Sequence, residues 1–351
     1  MTFEVRRFSD CSLKDVFFDS LKKDYPGFEE WFGRKSKEGA VAYVATDRNA
    51  IQAFLYLKDH ECEAVGELSA HSRMKIGTLK VCEDSGRRRI AEGAVGIALW
   101  RWQQSELDEI YVTVFPKYEV TIRLLKTFGF VYKGKKEGED VYFKDKKKID
   151  HADPKRSFPF INPDFTNGRY IPIDDGYHDQ MFQYSDLKNT HQIREDFPVS
   201  NGITKNYIAT PCSKLDHAVG DIAFIYRKYT GSGARSYKSV ITSYCVITSV
   251  MPIKTAGKAF YSCDKFIEMA GNKTVFNPDQ LREIYVRTNV YLIEMVYNGY
   301  FGAGKNITFK ALADMGLFGG HPYSVRLDRK NVSDILRMGG KNECDIIVDK
   351  P

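Results

Sequence analysis

Residues 75–95 read KIGTLKV followed by CEDSGRRRIAEGAV. The first seven form a short apolar run of strand character. The next fourteen make a tight turn and run into a helix-like stretch that ends near Asp108. A strand, a turn and a helix start present backbone N–H groups to a phosphate. Turns of this kind usually rely on glycine, whereas this one has Gly86 followed by Arg87, Arg88 and Arg89. N–H groups from Arg87 to Ala91 would face an anion, and the guanidinium groups would add charge-assisted bonds. A solvated basic turn is the plain alternative.

Working outward, the segment 12–39 has apolar residues at helical spacing, broken at Pro26-Gly27, and reads as two helices. AVAYVATD (40–47) and AIQAFLYLKD (50–59) alternate across a turn-prone Asp47-Arg48-Asn49 and read as an antiparallel hairpin. Downstream of the arginines, Ile90, Ala94, Ala98 and Trp102 recur every four residues, so that helix can lie on a sheet. EIYVTVF (109–115) is apolar on both faces and suits a buried strand. EVTIRLLKTFGF (119–130) reads as a helix stopped at Gly129, and VYF (141–143) as a last strand.

The whole chain has 351 residues, enough for two domains, each able to bury its own core. A net charge of +6 permits an anionic partner without demanding one. Seven scattered cysteines with no C-x-x-C pair argue against a structural metal site and a disulfide framework, and for reduced thiols. No apolar run reaches membrane-spanning length and the first residues carry no apolar signal core, so the expected setting is cytoplasmic, without a membrane. No metal is expected.

Taken in order, the early helices, the hairpin, KIGTLKV-CEDSGRRRIAEGAV and EIYVTVFPKYEVTIRLLKTFGF resemble the GNAT N-acetyltransferase superfamily. The resemblance covers residues 1–146 and implies a mixed sheet with flanking helices, an α/β (α+β) fold. It also implies acetyl-CoA as cofactor. The family's Q/R-x-x-G-x-G/A loop falls on Gly86 to Ala91, with Ala91 alone matching a signature position. Arg87, Arg88, Arg89 and Ile90 then line the pyrophosphate, and Arg89 has a Cβ where the family usually has none. By the same alignment Leu79 and Val81 lend backbone groups to the pantetheine and the acyl carbonyl.

Acetyl transfer needs a base for the amine and an acid for the leaving thiolate. The tyrosine that often serves as acid in the family is replaced here by Leu125, and the asparagine that often starts its helix by Tyr118. Tyr118 is therefore the expected acid. Glu67 and Glu109 are the expected bases, each against the plainer reading of a solvated or capping carboxylate, and His71 reads as structural.

Residues 147–168, rich in lysine and proline and without period, read as a connector. Beyond it, short β-rich runs such as VGDIAFIYRK (219–228), KSVITSYCVITSV (238–250), VYLIEMVY (290–297) and YSVRLD (323–328) alternate with four helix-like segments. Residues 169–351 resemble the PUA-like group of small β-barrels that includes the ASCH and EVE domains, here with added helices. The resemblance rests on Val219-Gly220-Asp221 opening an apolar strand, on the long strand after it, and on FKALADMGLFGGHPYSVRLD. Glycine would allow the turn and aspartate would bond its N–H groups.

Such barrels recognise RNA or modified bases through aromatic faces and basic residues. The expected contacts are Tyr177 and His178, then Tyr226 and Arg227 at a strand end, and Arg235, Tyr237 and Lys238 across a Gly-Ser-Gly loop. The combined expectation is an N-acetyltransferase acting on, or guided by, RNA, transfer RNA or another modified nucleic acid. The alternative is a non-catalytic nucleic-acid-binding or coenzyme-A-sensing protein on a degenerate GNAT fold.

Overall fold

The computed structural model describes residues 3–48, 50–82, 89–182, 185, 198–213, 215–342 and 346. Gly86, Arg87 and Arg88 therefore lie outside the described residues. The chain divides into two compact units, Met1–Lys146 and Lys147–Pro351.

In the first unit β1 (Phe3–Arg7) leads through two short 3-10 turns to α1 (Asp19–Asp24) and α2 (Phe28–Lys37). Pro26 and a left-handed Gly27 separate the helices, as the sequence predicts. β2 (Val41–Asp47), β3 (Ala50–Glu61) and β4 (Arg73–Val81) follow, then α3 (Ile90–Gln103), β5 (Glu109–Val114), α4 (Glu119–Thr127), β6 (Val131–Lys136) and β7 (Glu139–Asp145). They build one seven-stranded sheet in the order β1-β2-β3-β4-β5-β7-β6.

The β4–β5 pair is parallel and the other pairs are antiparallel. A parallel pair needs a crossover. α3 supplies it, packing on β3 and β4 with Ile90, Ala94, Ala98 and Trp102 all buried. A second layer gathers Phe8, Phe18, Phe28, Phe32 and Phe54 in one aromatic cluster, with ring centroids 4.9–6.2 Å apart.

In the second unit a helical turn α5 (Pro154–Ser157) precedes β8 (Asn167–Asp174), α6 (Asp175–Met181), α7 (Pro198–Asn201), β9 (Thr204–Ala209) and β10 (Ile222–Lys228). Then come α8 (Arg235–Lys238), β11 (Val240–Thr255), β12 (Lys258–Ala259), α9 (Cys263–Ala270), α10 (Pro278–Tyr285) and β13 (Val290–Tyr300). β14 (Ile307–Thr308), α11 (Phe309–Asp314), β15 (Leu327–Asp328) and α12 (Arg329–Met338) complete it. The sheet runs β15-β8-β10-β11-β13-β9, with β12 and β14 attached to the two ends of β11.

β11 is sixteen residues long, and its pairing with β13 shifts register at three places. Bulges of this kind bend a strand and raise its twist. The bend brings the two sides of the sheet together: the Tyr207 hydroxyl on β9 donates to the Pro172 carbonyl on β8 at 2.8 Å, although three strands separate them in the sheet. Gly220, at φ 89°, turns the chain into β10, and the Asp221 carboxylate accepts the Ala218 N–H at 2.9 Å.

Two expectations change. The segment 147–168 is not a free connector, because Phe158, Phe160, Ile161 and Phe165 are buried. Ile161 and Phe165 join the core under α12, so apolar rings hold a stretch without period in place. In YSVRLD only Leu327 and Asp328 pair with β8, while Pro322–Ser324 form a 3-10 turn begun by a proline.

Candidate functional site

The β4–β5 ladder contains only Met74↔Ile110, Lys75↔Tyr111 and Ile76↔Val112. Beyond Ile76, β4 runs on to Val81 and β5 to Val114 without pairing to each other, so the strands part toward their carboxyl ends. The gap leaves a slot bordered by backbone N–H and C=O groups. Ligands of open α/β sheets settle at the carboxyl ends of parallel strands. Leu79 and Val81 lie on this stretch of β4, both half-buried and paired on their other side with Leu55 and Ala53 of β3.

At the same end α3 begins. Arg89 precedes it at φ 56°, a left-handed conformation that strains a residue with a Cβ. Its side chain is buried, and Nε and Nη2 donate to Glu92 Oε2 at 3.1 and 2.6 Å. The guanidinium expected on a phosphate is thus engaged with a helix neighbour. Ile90 is buried among Ala45 and Ala53, so it contributes packing; Ala91 is half-buried on the first turn.

A polar cluster closes over the carboxyl end of β5. Tyr118, the residue before α4, donates its hydroxyl to Asp24 Oδ2, and Lys117 Nζ donates to Asp24 Oδ1 at 2.6 Å. These two hydrogen bonds hold the Asp24 carboxyl below its ordinary range. Next to Asp24, the Tyr25 hydroxyl donates to Glu139 Oε1 at 2.6 Å, and its ring lies 5.2 Å from Phe115. Burial, then the Glu139 carboxylate, raises the Tyr25 phenol. Leu125 is fully buried.

Of the two expected bases, Glu109 is engaged elsewhere. Glu109 starts β5 at the closed, paired end of the parallel strands, where Arg73 Nε donates to it. Arg73 is itself buried, and its Nη1 donates to the Ser69 carbonyl at 2.7 Å. Glu109 is therefore the counter-charge of a buried arginine. Glu67 sits exposed in a turn whose backbone N–H donates to the Lys133 carbonyl at 2.9 Å. Glu109 is thus held at the opposite end of β5 from the slot, while the Glu67 side chain stands exposed beside β6.

In the second unit the expected binding lip divides. Tyr226 is buried, with its ring 4.9 Å from Phe318. Arg227 is buried and donates Nε and Nη2 to the two oxygens of Asp179, each at 2.9 Å. His178 is fully buried, Nδ1 meeting Asp179 at 2.8 Å and Nε2 meeting Thr242 Oγ1 at 2.8 Å. Burial lowers the His178 imidazole, against the upward pull of Asp179. These three form core structure, because β10 turns Tyr226 and Arg227 toward opposite packed faces of the sheet. Arg235, Tyr237 and Lys238 stand exposed on α8, Tyr237 at 61%. Tyr177 is also exposed, its ring 5.1 Å from Phe276.

No protein-family model matches the chain, and no curated protein matches it. Among solved structures, the chain is similar to the PaiA N-acetyltransferase of Thermoplasma acidophilum in complex with coenzyme A, at 16% identity and TM-score 0.30. That likeness covers 41% of this chain and 99% of the other. It is also similar to NAA60 of Arabidopsis thaliana in complex with a bisubstrate analogue, at 17% identity and TM-score 0.30, over 40% and 95% of the two chains. A GNAT-family acetyltransferase of Bacillus cereus has 15% identity and TM-score 0.29, over 41% and 98%.

Sequence reading missed Asp24, Tyr25 and Glu139. Asp24 and Tyr25 directly precede the Pro26-Gly27 break, which marks a turn but not what it touches. Glu139 lies 114 residues further on, so only the folded sheet brings the three together. It also missed Glu63, which accepts from Lys75 at 3.0 Å, Tyr111 at 2.9 Å and Lys136 at 2.5 Å. Burial acts to raise its carboxyl, but these donors outweigh it and hold it at about 2. Among the described residues no group of three or more His, Cys, Asp or Glu could hold a metal ion, and no helix is long and apolar enough to cross a membrane.

Proposed function

We propose that the first unit is an acetyl-CoA-dependent N-acetyltransferase of the GNAT type. We further propose that the second is a PUA-like nucleic-acid reader that brings it to RNA or a nucleic-acid-associated substrate. The observation that carries the first half is the parting of β4 and β5 beyond Ile76 and Val112 beside the start of α3. A pantetheine arm is a chain of amides and fits a slot edged by backbone donors and acceptors. Leu79 and Val81 would hold it by main-chain bonds, and the N–H groups at the start of α3 would meet the pyrophosphate.

Acetyl-CoA supplies the activated acetyl thioester. The amine nitrogen bonds to the acyl carbon, the C–S bond breaks, and one proton leaves the amine while one reaches the thiolate. Glu139, bonded to Tyr25 near the carboxyl end of β5, would take the amine proton. Tyr118 would give one to sulfur, after releasing its hydrogen bond to Asp24. Lys117, bonded to Asp24, favours its anionic form.

For the second unit, support comes from the curled sheet with Tyr207 bridging to β8, and from the Gly220-Asp221 turn. Exposed Arg235, Tyr237 and Lys238 on α8 provide an aromatic and basic surface for a nucleic-acid strand.

A second reading, a coenzyme-A-binding protein without turnover, is favoured by two features. Buried Leu125 stands where the family often has its acid, and Asp24 already occupies the Tyr118 proton. Calorimetry of the full chain against acetyl-CoA tests the shared part. Binding is expected, weakened by Arg87→Glu with Arg88→Glu. No heat of binding, or equal affinity in the double variant, removes the cofactor assignment. Binding without product over a panel of amines selects the second reading.

A further inference from the structure

Phe115, Pro116 and Lys117 follow β5 directly, at the carboxyl end where β4 and β5 have parted. Lys117 Nζ donates to Asp24 Oδ1 at 2.6 Å. The same nitrogen lies 5.1 Å from the centroid of the Tyr118 ring and 5.4 Å from that of Phe115. A primary ammonium is thus held between a carboxylate and two aromatic faces, surroundings suited to such a cation. The group held there belongs to the chain itself.

The Asp24 carboxylate has a second partner. Its Oδ2 takes the Tyr118 hydroxyl, the group that would give its proton to the leaving sulfur in acetyl transfer. The ammonium and the acid are therefore separated by the width of one carboxylate and two hydrogen bonds. The Lys117 side chain is also 56% exposed, so it can swing toward the slot without unpacking the core. Other lysines of this unit are placed differently. Lys75 and Lys136 both donate to Glu63, and Lys144 is buried against the Phe128 carbonyl.

We propose that Lys117 is a self-acetylation site, taking an acetyl group from the acetyl-CoA bound by its own chain. This rests on the acetyl-CoA reading of the first unit and adds an acceptor within the chain. Nζ bonds to the acyl carbon and the C–S bond breaks. Of the two protons the ammonium loses, one passes to solvent by way of Asp24. The other balances the proton that Tyr118 gives to the sulfur of coenzyme A, since Tyr118 recovers one from the new amide nitrogen. The product is a neutral amide, so the ion pair to Asp24 is lost.

The test uses the full chain and acetyl-CoA isotope-labelled in its acetyl group, which separates newly added acetyl from any already present. Timed samples are digested and the label is located by mass spectrometry, while calorimetry of the same preparation measures acetyl-CoA binding. Lys310 and Lys330 of the second unit serve as internal references for plain chemical acetylation, because each is an exposed lysine paired with an aspartate, Asp314 and Asp334. Label is expected on Lys117 at least about tenfold faster than on either reference, because the acyl donor is held beside it. The rate should saturate with acetyl-CoA and not depend on protein concentration. Lys117→Arg should lose one labelled acetyl from the intact mass. Tyr118→Phe keeps the ring beside Lys117 and should slow the labelling by about a hundredfold.

The proposal is overturned, with the cofactor assignment intact, if acetyl-CoA binds yet Lys117 gains label no faster than Lys310 and Lys330. It is also overturned if the rate rises with protein concentration, which marks a second copy as the donor. Labelling of Tyr118→Phe at the parental rate overturns it as well, since the shared carboxylate then does not mark the reacting end. Absence of any heat of binding removes the cofactor assignment and this inference together.

Discussion

Replacing Asp179 with alanine should destabilise the second unit far more than a surface substitution would. Its carboxylate takes both Arg227 hydrogen bonds and orients His178, and these partners are 9% and 0% exposed. Breaking a buried pair by removing one partner costs about 3–5 kcal/mol, because the remaining charge stays buried without compensation. For a domain of this size each kcal/mol lowers Tm by about 2–4 °C, so a fall of roughly 6–20 °C is expected.

The pH dependence has a definite sign. Burial acts to raise the Asp179 carboxyl, but Arg227 and His178 outweigh it and hold it at about 2, against an ordinary 3.8. A depressed carboxylate contributes stability that is fully present above 3.8 and is lost as pH falls through about 2, amounting to about 2 kcal/mol. His178 adds to this at higher pH: its folded value is lowered, so stability also declines as pH falls below its ordinary 6.5. Thermal melts of the parent and Asp179→Ala by circular dichroism, repeated from pH 8 down to 3, measure both effects. A Tm shift under about 3 °C at neutral pH would refute the buried network and return Arg227 to the surface.

Other expectations concern the slot and the exposed surface. If transfer occurs, Glu139→Gln should lower kcat by about two to four orders of magnitude with little change in coenzyme A affinity, as measured by initial rates. Glu109→Gln should instead lower Tm by leaving buried Arg73 without its counter-charge, and a rate loss larger than that of Glu139→Gln would reverse the assignment. For the second unit, Tyr237→Ala should cost on the order of 1–3 kcal/mol in single-stranded RNA binding, and Lys238→Ala should mainly reduce its salt slope. Filter binding at several salt concentrations reads both, and parent-like affinity in the double variant excludes α8 as the contact surface.

Local pattern carried much of the architecture. The Pro26-Gly27 break, the 40–59 hairpin, β4 and α3 on either side of the arginine run, and the Gly129 stop all appear where periodicity and turn chemistry put them. β1, β6, β8 and β9 escaped notice. FEVRR and VYKGKK are charged edge strands with little apolar alternation, and NGRYIPID carries a proline and a glycine. β1, β8 and β9 pair with strands far along the chain, which a local window does not see, whereas β6 pairs with the adjacent β7 and lacked only an apolar alternation.

The site divides in the same way. That Leu79 and Val81 lie on the strand leading toward α3 was legible, because a run of strand character is visible in the chain itself. Side-chain roles were not. Tyr226 and Arg227 look like a stacking and phosphate pair in sequence, yet strand alternation and the curl of β11 turn both into the core. Glu109 reads as a carboxylate at a strand start, and only the register Met74↔Ile110 puts Arg73 beside it, at the closed end of the parallel pair.

The sequence by itself determined the order of most elements, the division of the chain into two units and the succession from β4 to α3, since these follow from chain length, short-range propensity and hydrophobic period. Tertiary structure alone decided that Glu109 is the counter-charge of buried Arg73 and that Glu139 bonds Tyr25. It also decided that β4 and β5 part beyond Ile76, and that Lys117 and Tyr118 meet on the Asp24 carboxylate. Those outcomes depend on contacts between residues tens to more than a hundred positions apart, and their energies come from burial and pairing that exist only once the sheets have formed.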